Sequence, residues 1–302
     1  MKIRKKLTLI IISLISTSAM GQIFLNWNGG VAEYSFTGSL INSSLIPGVS
    51  LLGSDNNGNL FTVSGNTIGE YRTSGAVVNA NLIPNAGAIA SAGFAVSGGY
   101  IYFVNGIGTV EQFTSSGSLV NDSLISGVNG LLGLAVSGNN IYVTRGGGNG
   151  NNNGVVAQYT TSGVLINASL YSGLEIPGVS VNNGNLYVIQ QPYVPALGGY
   201  ASIDGIISIQ GSIVGLAFDG GGNLFVAANL YPSANSPEGV VQEYNSNGQP
   251  VNLSLINLGV NTAISGPIVV VPVPEPSVGA LAVVALTLIY LRLPLKRLRL
   301  RT

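Results

Sequence analysis

The sequence predicts an all-β fold, a six-bladed β-propeller of four-stranded repeats about 42 residues long. Three observations lead there: a motif that recurs at one internal spacing, hairpin-forming segments between its copies, and complementary half-units at the two ends of the repeat region.

The motif comes first. "VAEYSFTGSLINSSLI" (31–46) returns as "IGEYRTSGAVVNANLI" (68–83), "VEQFTSSGSLVNDSLI" (110–125), "VAQYTTSGVLINASLY" (156–171) and "VQEYNSNGQPVNLSLI" (241–256). In each copy an aromatic (Tyr34, Tyr71, Phe113, Tyr159, Tyr244) stands eight residues before an asparagine (Asn42, Asn79, Asn121, Asn167, Asn252). The aromatics are 37, 42, 46 and 85 residues apart; "YASIDGIISIQG" (200–211) fills the double gap as a worn copy, making six.

Hairpins come next. "GFAVSGGYIYFV" (93–104), "GLAVSGNNIYVT" (133–144), "GVSVNNGNLYVI" (178–189) and "GLAFDGGGNLFV" (215–226) each flank a Gly/Asn turn with β-branched and aromatic runs. Gly and Asn accept positive φ, and the flanks suit a pleated surface. With the "TSSG"-type turn inside each motif, every unit holds four short strands. In "GLAFDGGGNLFV" the pattern resembles the NHL-type propeller family, a likeness that implies the fold and carries little about function.

The ends close the ring. "GPIVVV" (266–271) reads as a first strand without its partner, and "IFLNWNG" (23–29) as the missing second strand. Joining them completes a sixth blade and removes an open sheet edge.

Charge is unevenly placed. Four of the eleven basic residues lie in the first six positions and five in the last eleven. Between Gln22 and Pro274 only Arg72 and Arg145 oppose ten acids, a formal charge of −8 that disfavours a nucleic-acid partner. The chain has no Cys and no His, which removes disulfides, thiolate metal sites, the usual zinc ligand and any Ser-His-Asp arrangement. No pair of carboxylates repeats at a defensible spacing, so no catalytic residue is assigned and the chain is read as noncatalytic.

The front end reads as an export signal: basic start, apolar run Leu7 to Ile15, then small residues. Cleavage between Gly21 and Gln22 makes residues 1–21 a signal peptide, followed by the propeller over 22–273. At the far end Pro274, Glu275 and Pro276 precede an apolar segment, 278–291, and a basic tail. Fourteen residues make about 21 Å of helix, short against a span of about 20 residues. This ordered triple, residues 274–302, resembles the PEP-CTERM sorting signal. The resemblance implies an exosortase-type partner, transient anchoring in the inner membrane of a Gram-negative-type bacterium, and delivery to the cell surface or extracellular matrix.

Candidate sites are few. The Asn-x-Ser triplets read as a repeated turn or strand-edge feature, and "RGGGNGNNNG" (145–154) as a polar insertion without a phosphate-loop ending. Glu33, Glu70, Gln112, Gln158 and Glu243, each just before the aromatic, read as groups that satisfy strand edges. Asp55, Asn57 and Asn59 alternate as calcium ligands sometimes do, but the same place in other copies is a plain hairpin turn, and no cofactor is assigned. The insertions at 145–154, 190–199 and 229–239 all fall between the second and third strand of a unit, which gathers them on one face. They bring Arg145, Gln190, Gln191, Tyr193, Tyr231 and Glu238, side chains suited to stacking on sugar rings and binding hydroxyls. The expected function is an exported propeller that binds or organises extracellular polysaccharide. A calcium-dependent hydrolase or lyase using Glu175, Asp204 or Asp219, and a protein-binding adhesin, are the alternatives.

Overall fold

In the computed structural model, which describes residues 21–271 apart from 56, 129, 147–152, 174, 192–199, 204–206 and 234–235, each copy of the motif forms an antiparallel hairpin. The first copy gives β2 and β3 of the run β1 (Gln22–Trp27), β2 (Gly30–Ser35), β3 (Leu40–Pro47). Three four-stranded meanders follow: β4 (Ser50–Ser54), β5 (Asn59–Ser64), β6 (Thr67–Arg72), β7 (Val77–Ile83); then β8 (Ile89–Ser97), β9 (Tyr100–Asn105), β10 (Val110–Thr114), β11 (Leu119–Ile125); then β12 (Leu131–Ser137), β13 (Asn140–Arg145), β14 (Gly154–Thr160), β15 (Leu165–Gly173). The remainder is β16 (Glu175–Asn182), β17 (Asn185–Gln191), β18 (Tyr200–Ile203), β19 (Ile207–Phe218), β20 (Leu224–Ser233), β21 (Ser236–Tyr244), β22 (Pro250–Val260) and β23 (Ile268–Val271). No helix occurs among the described residues, so none is long and apolar enough to cross a membrane. The sorting motif at Pro274, Glu275 and Pro276, segment 278–291 and residues 1–20 lie outside the described residues.

The local chemistry is the same in the five full copies of the motif. The turn joining third and fourth strands closes on a glycine N–H: Gly38 to Ser35, Gly75 to Arg72, Gly117 to Thr114, Gly163 to Thr160 and Gly248 to Asn245, each at 2.9 Å. All five glycines have φ between 73° and 87°, a left-handed conformation that side chains resist. On the fourth strand each repeated asparagine accepts, through Oδ1, the N–H two residues on: Ser44, Asn81, Ser123, Ser169 and Ser254, at 2.9–3.0 Å. The ladder shifts register around each of them. The repeated Asn is therefore a strand-edge device, as its fixed place in the motif suggests.

The two ends of the described chain pair as expected. β23 runs antiparallel to β1, with Ile268 opposite Leu25 and Val271 opposite Gln22, in a sheet ordered β23-β1-β2-β3. Gln22 Nε2 donates to Glu33 Oε1, and the Phe36 ring lies where a side chain on Gly21 would begin. The core is distributed between successive sheets: Phe24, Phe61, Phe103 and Phe225, all on second strands, are fully buried there.

One expectation is corrected. The repeats form a propeller of five sheets, four of four strands and one of seven, not six separate blades. The cause is β19. Ile207 to Gln210 pair with β18, while Gly211 to Phe218 pair with β20. The strand passes from one unit to the next without a turn, so the fifth and sixth copies share a sheet. Gly211 makes the passage, at φ 142°, where a Cβ would lie 2.2 Å from the Asn229 carbonyl oxygen.

Candidate functional site

The innermost strands enclose a central channel of about 400 Å³. Its walls are the small and apolar residues of β4, β8, β12, β16, the second half of β19, and β23, among them Gly53, Ala95, Ala135, Gly178, Ala217 and Ile268. Asp219, at its rim, is committed to its own turn: Oδ1 accepts from the Gly221 and Asn223 N–H groups at 2.8 Å, and Oδ2 from Asn223 Nδ2 at 2.9 Å. Asp55 is held likewise by Asn57 and Asn59, whose backbone N–H groups are 2.9 Å from Oδ1. Oxygens that face N–H donors are poorly placed for a cation, and the Asp55-Asn57-Asn59 alternation builds a turn. No cluster of three acidic groups able to hold a metal is present among the described residues.

The Glu/Gln positions beside the repeated aromatics sit on third strands, away from the channel. Each is opposite the repeated asparagine of its own unit. Gln112 donates to the Tyr102 hydroxyl at 3.2 Å and Gln158 to Asn140 Oδ1 at 3.0 Å. Burial raises the carboxyl pKa of Glu33, Glu70 and Glu243 above its ordinary value.

A second cavity, of about 370 Å³, lies where β19 changes partners. Ser208 and Gln210 come from the half of β19 paired with β18; Leu230 and Tyr231 come from β20, and Glu238 and Gln242 from β21. Glu238 is fixed on two sides. Its backbone is opposite Leu230 in the ladder and bridges to Thr262, with the Gly239 N–H donating to the Thr262 carbonyl at 2.6 Å. Its Oε1 accepts from Asn257 Nδ2 at 2.6 Å, while Asn257 Oδ1 accepts the Gly259 N–H at 2.8 Å. Gln242 is buried; its Oε1 accepts the Tyr244 hydroxyl at 2.8 Å, and burial raises the Tyr244 pKa. That bond uses the Gln242 carbonyl and leaves its amide N–H groups as donors on the cavity wall.

Of the six expected ligand-binding side chains, the cavity brings together Tyr231 and Glu238. Arg145 is exposed at the end of β13. Gln190 donates to the Tyr171 hydroxyl. Gln191 has a buried Oε1 with no hydrogen-bond partner among the described residues, and Tyr193 lies outside them. Gln210, Gln242 and Asn257 were not anticipated. A signal for Gln242 exists in the repeat: the position is Ala32, Gly69, Glu111 and Ala157 in the other copies, so a glutamine there departs from a mostly small consensus.

No family model and no curated protein matches the chain. Among solved structures it is similar to TolB from Agrobacterium tumefaciens, at 10% identity and a TM-score of 0.58 over 85% of this chain and 99% of that one. At that identity the likeness shows the propeller fold alone. Weaker matches are a gluconolactonase from Xanthomonas campestris (14% identity, TM-score 0.46, 69% of this chain and 72% of that one) and AztD from Citrobacter koseri (11%, 0.41, 84% and 98%).

Proposed function

We propose that this chain is an exported, noncatalytic propeller that binds or organises extracellular polysaccharide at the cell surface or in its matrix. The observation that carries the reading is the cavity at the β19 crossing, where the Tyr231 ring, two glutamine amides and one carboxylate converge. An aromatic ring with amide and carboxylate groups suits a sugar, which offers an apolar ring face and a rim of hydroxyls.

Export and sorting rest on the ends of the sequence. The basic and apolar leader with Gly21-Gln22 at its end directs the chain outward. Pro274-Glu275-Pro276 with the apolar segment and basic tail makes it a substrate of an exosortase-type partner.

The test is to mix the full chain, in mild detergent, with the producing organism's exopolysaccharide, with and without a chelator. Protein in the pellet and no new sugar ends in the supernatant is the expected result. New ends that vanish on chelation would overturn it in favour of a metal-dependent hydrolase or lyase. Binding confined to one surface protein would replace it with an adhesin.

A further inference from the structure

We infer that the cavity at the β19 crossing is a subsite for a cationic amino sugar, a hexosamine unit carrying a free ammonium group. The inference rests on the polysaccharide reading and narrows it to one class of sugar.

Charge is the first ground. Among the described residues Glu238 is the one charged side chain on the cavity wall. Only one of its oxygens is engaged by a described residue, Oε1 by Asn257. Among the described residues no lysine or arginine lines the cavity. The two basic residues of the body are elsewhere: Arg72 donates to Asn59 Oδ1 at 2.8 Å, and Arg145 is exposed on β13. A uronate or sulfated sugar would meet a carboxylate and no counter-charge, on a body of formal charge −8. An ammonium group meets the opposite.

Fixed geometry is the second ground. The Glu238 backbone is held by both β20 and Thr262, and its carboxylate by Asn257, so little side-chain freedom remains to be lost on binding. Gln242, 7% exposed, has its carbonyl tied by Tyr244 and its amide N–H groups without a partner among the described residues. It is a buried, oriented donor for a hydroxyl or a ring oxygen. Gln210 adds a second amide, and Tyr231 with Leu230 an apolar surface. The volume, about 370 Å³, is at the small end of the range of roughly 300–1,000 Å³ typical of small-molecule clefts.

Isothermal titration of the full chain in detergent with three tetrasaccharides tests this: glucosamine, N-acetylglucosamine and a uronate of the same length. The glucosamine form should bind about 10-fold more tightly than the N-acetyl form at low salt, with the difference shrinking as salt rises and the uronate giving no heat. Glu238→Gln should bring the amino and N-acetyl forms to equal affinity, the ratio of the two being the readout. Tyr231→Ala should weaken both neutral and cationic sugars in proportion. Thermal unfolding of each variant separates loss of the site from loss of the fold. Equal affinity for the amino and N-acetyl forms, or an unchanged preference in Glu238→Gln, would overturn the amino-sugar assignment and leave the polysaccharide reading standing. Absence of binding to all three overturns the subsite. If the exopolysaccharide also fails to sediment the chain, the polysaccharide reading falls as well.

Discussion

The carbonyl oxygen of Leu255 occupies the place where a side chain on Gly38 would begin: a Cβ on Gly38 would stand 1.7 Å from it. Gly38 belongs to the turn after β2 and Leu255 to β22, so this contact joins the last unit to the first. The same contact recurs between Gly75 and Leu45, Gly117 and Leu82, and Gly163 and Leu124. Each glycine both takes a left-handed φ and lets its turn rest on the backbone of the unit before it.

Gly38→Ala should therefore destabilise more than an alanine at Gly48, which has φ 72° and nothing within 4 Å. Gly48→Ala meets only the left-handed penalty, about 1–2 kcal/mol. Gly38→Ala adds overpacking against a backbone atom that cannot swing aside, about 1–3 kcal/mol more. Denaturant titration of the pair measures the difference. Equal midpoints would mean that the contact between Gly38 and Leu255 relaxes freely.

Two buried asparagines clamp a neighbouring stretch of backbone, Leu51 on β4 and Ile264 in the connection from β22 to β23. Asn26 Oδ1 accepts the Leu51 N–H at 2.5 Å and its Nδ2 donates to the Leu51 carbonyl at 3.3 Å; Asn229 treats Ile264 likewise at 2.8 and 3.1 Å. Asn229→Ala strands two buried backbone groups and should cost about 2–5 kcal/mol. Amide exchange at Ile264 should speed up before that of the core strands. Unchanged protection there would refute the clamp.

Stability should fall as pH rises from the acid side. Burial raises the pKa of Glu33, Glu70 and Glu243 from an ordinary 4.5, so the folded chain binds protons more tightly than the unfolded one. Their contribution is present in full below about pH 4.5 and is lost as pH climbs through the raised values. Gln22 opposes the shift at Glu33, as Arg72 does at Glu70. Glu70→Gln and Glu243→Gln should raise the melting temperature at pH 7 and flatten the profile between pH 4 and 7. A wild-type profile that instead rises across that window would contradict the assignment.

Calcium and chelators should leave the melting temperature unchanged. The carboxylate oxygens of Asp55 and Asp219 already accept N–H groups within their own turns. A ligand that binds only the native state raises its stability, so a calcium-dependent shift would reveal a site that these turns do not explain.

The outer strands expose Leu40, Ile41, Val77, Val78, Leu119, Val120, Leu165 and Ile166, an unusual apolar load for open sheet edges. The asparagine after each pair takes up an edge N–H, and the ladder bulges beside it. Replacing Asn42, Asn79, Asn121 and Asn167 together by alanine frees four donors beside aliphatic side chains. Light scattering should then register concentration-dependent self-association that the parent lacks. A variant that scatters like the parent would leave the asparagines with a turn role only.

Much of the fold was legible because it repeats. Tyr34, Tyr71, Phe113, Tyr159 and Tyr244 recur in register with an asparagine, and repetition makes weak local signals add. The pairing of β23 with β1 was legible for a related reason: "GPIVVV" and "IFLNWNG" are halves of a unit that the other copies show whole. Less of the site was legible. Insertion loops pointed to Tyr231 and Glu238, which the cavity does unite, but grouped them with Arg145, Gln190 and Gln191, which take other places. Insertion shows that a loop is longer; it carries no information about where a side chain turns.

By itself, the sequence determined the strand content, the turn positions, the four-strand unit and the joining of the two ends. These depend on alternation and on glycine and asparagine at positive φ, which act over a few residues. Only the tertiary structure decided that the last two units share one sheet, and therefore that a cavity opens between Gln210 and Glu238. In "ISIQGSIVGLAF" nothing local says whether Gly211 ends a strand or carries it onward. That choice was made by β20, whose Leu230 pairs with Gly211 and leaves no room there for any other residue.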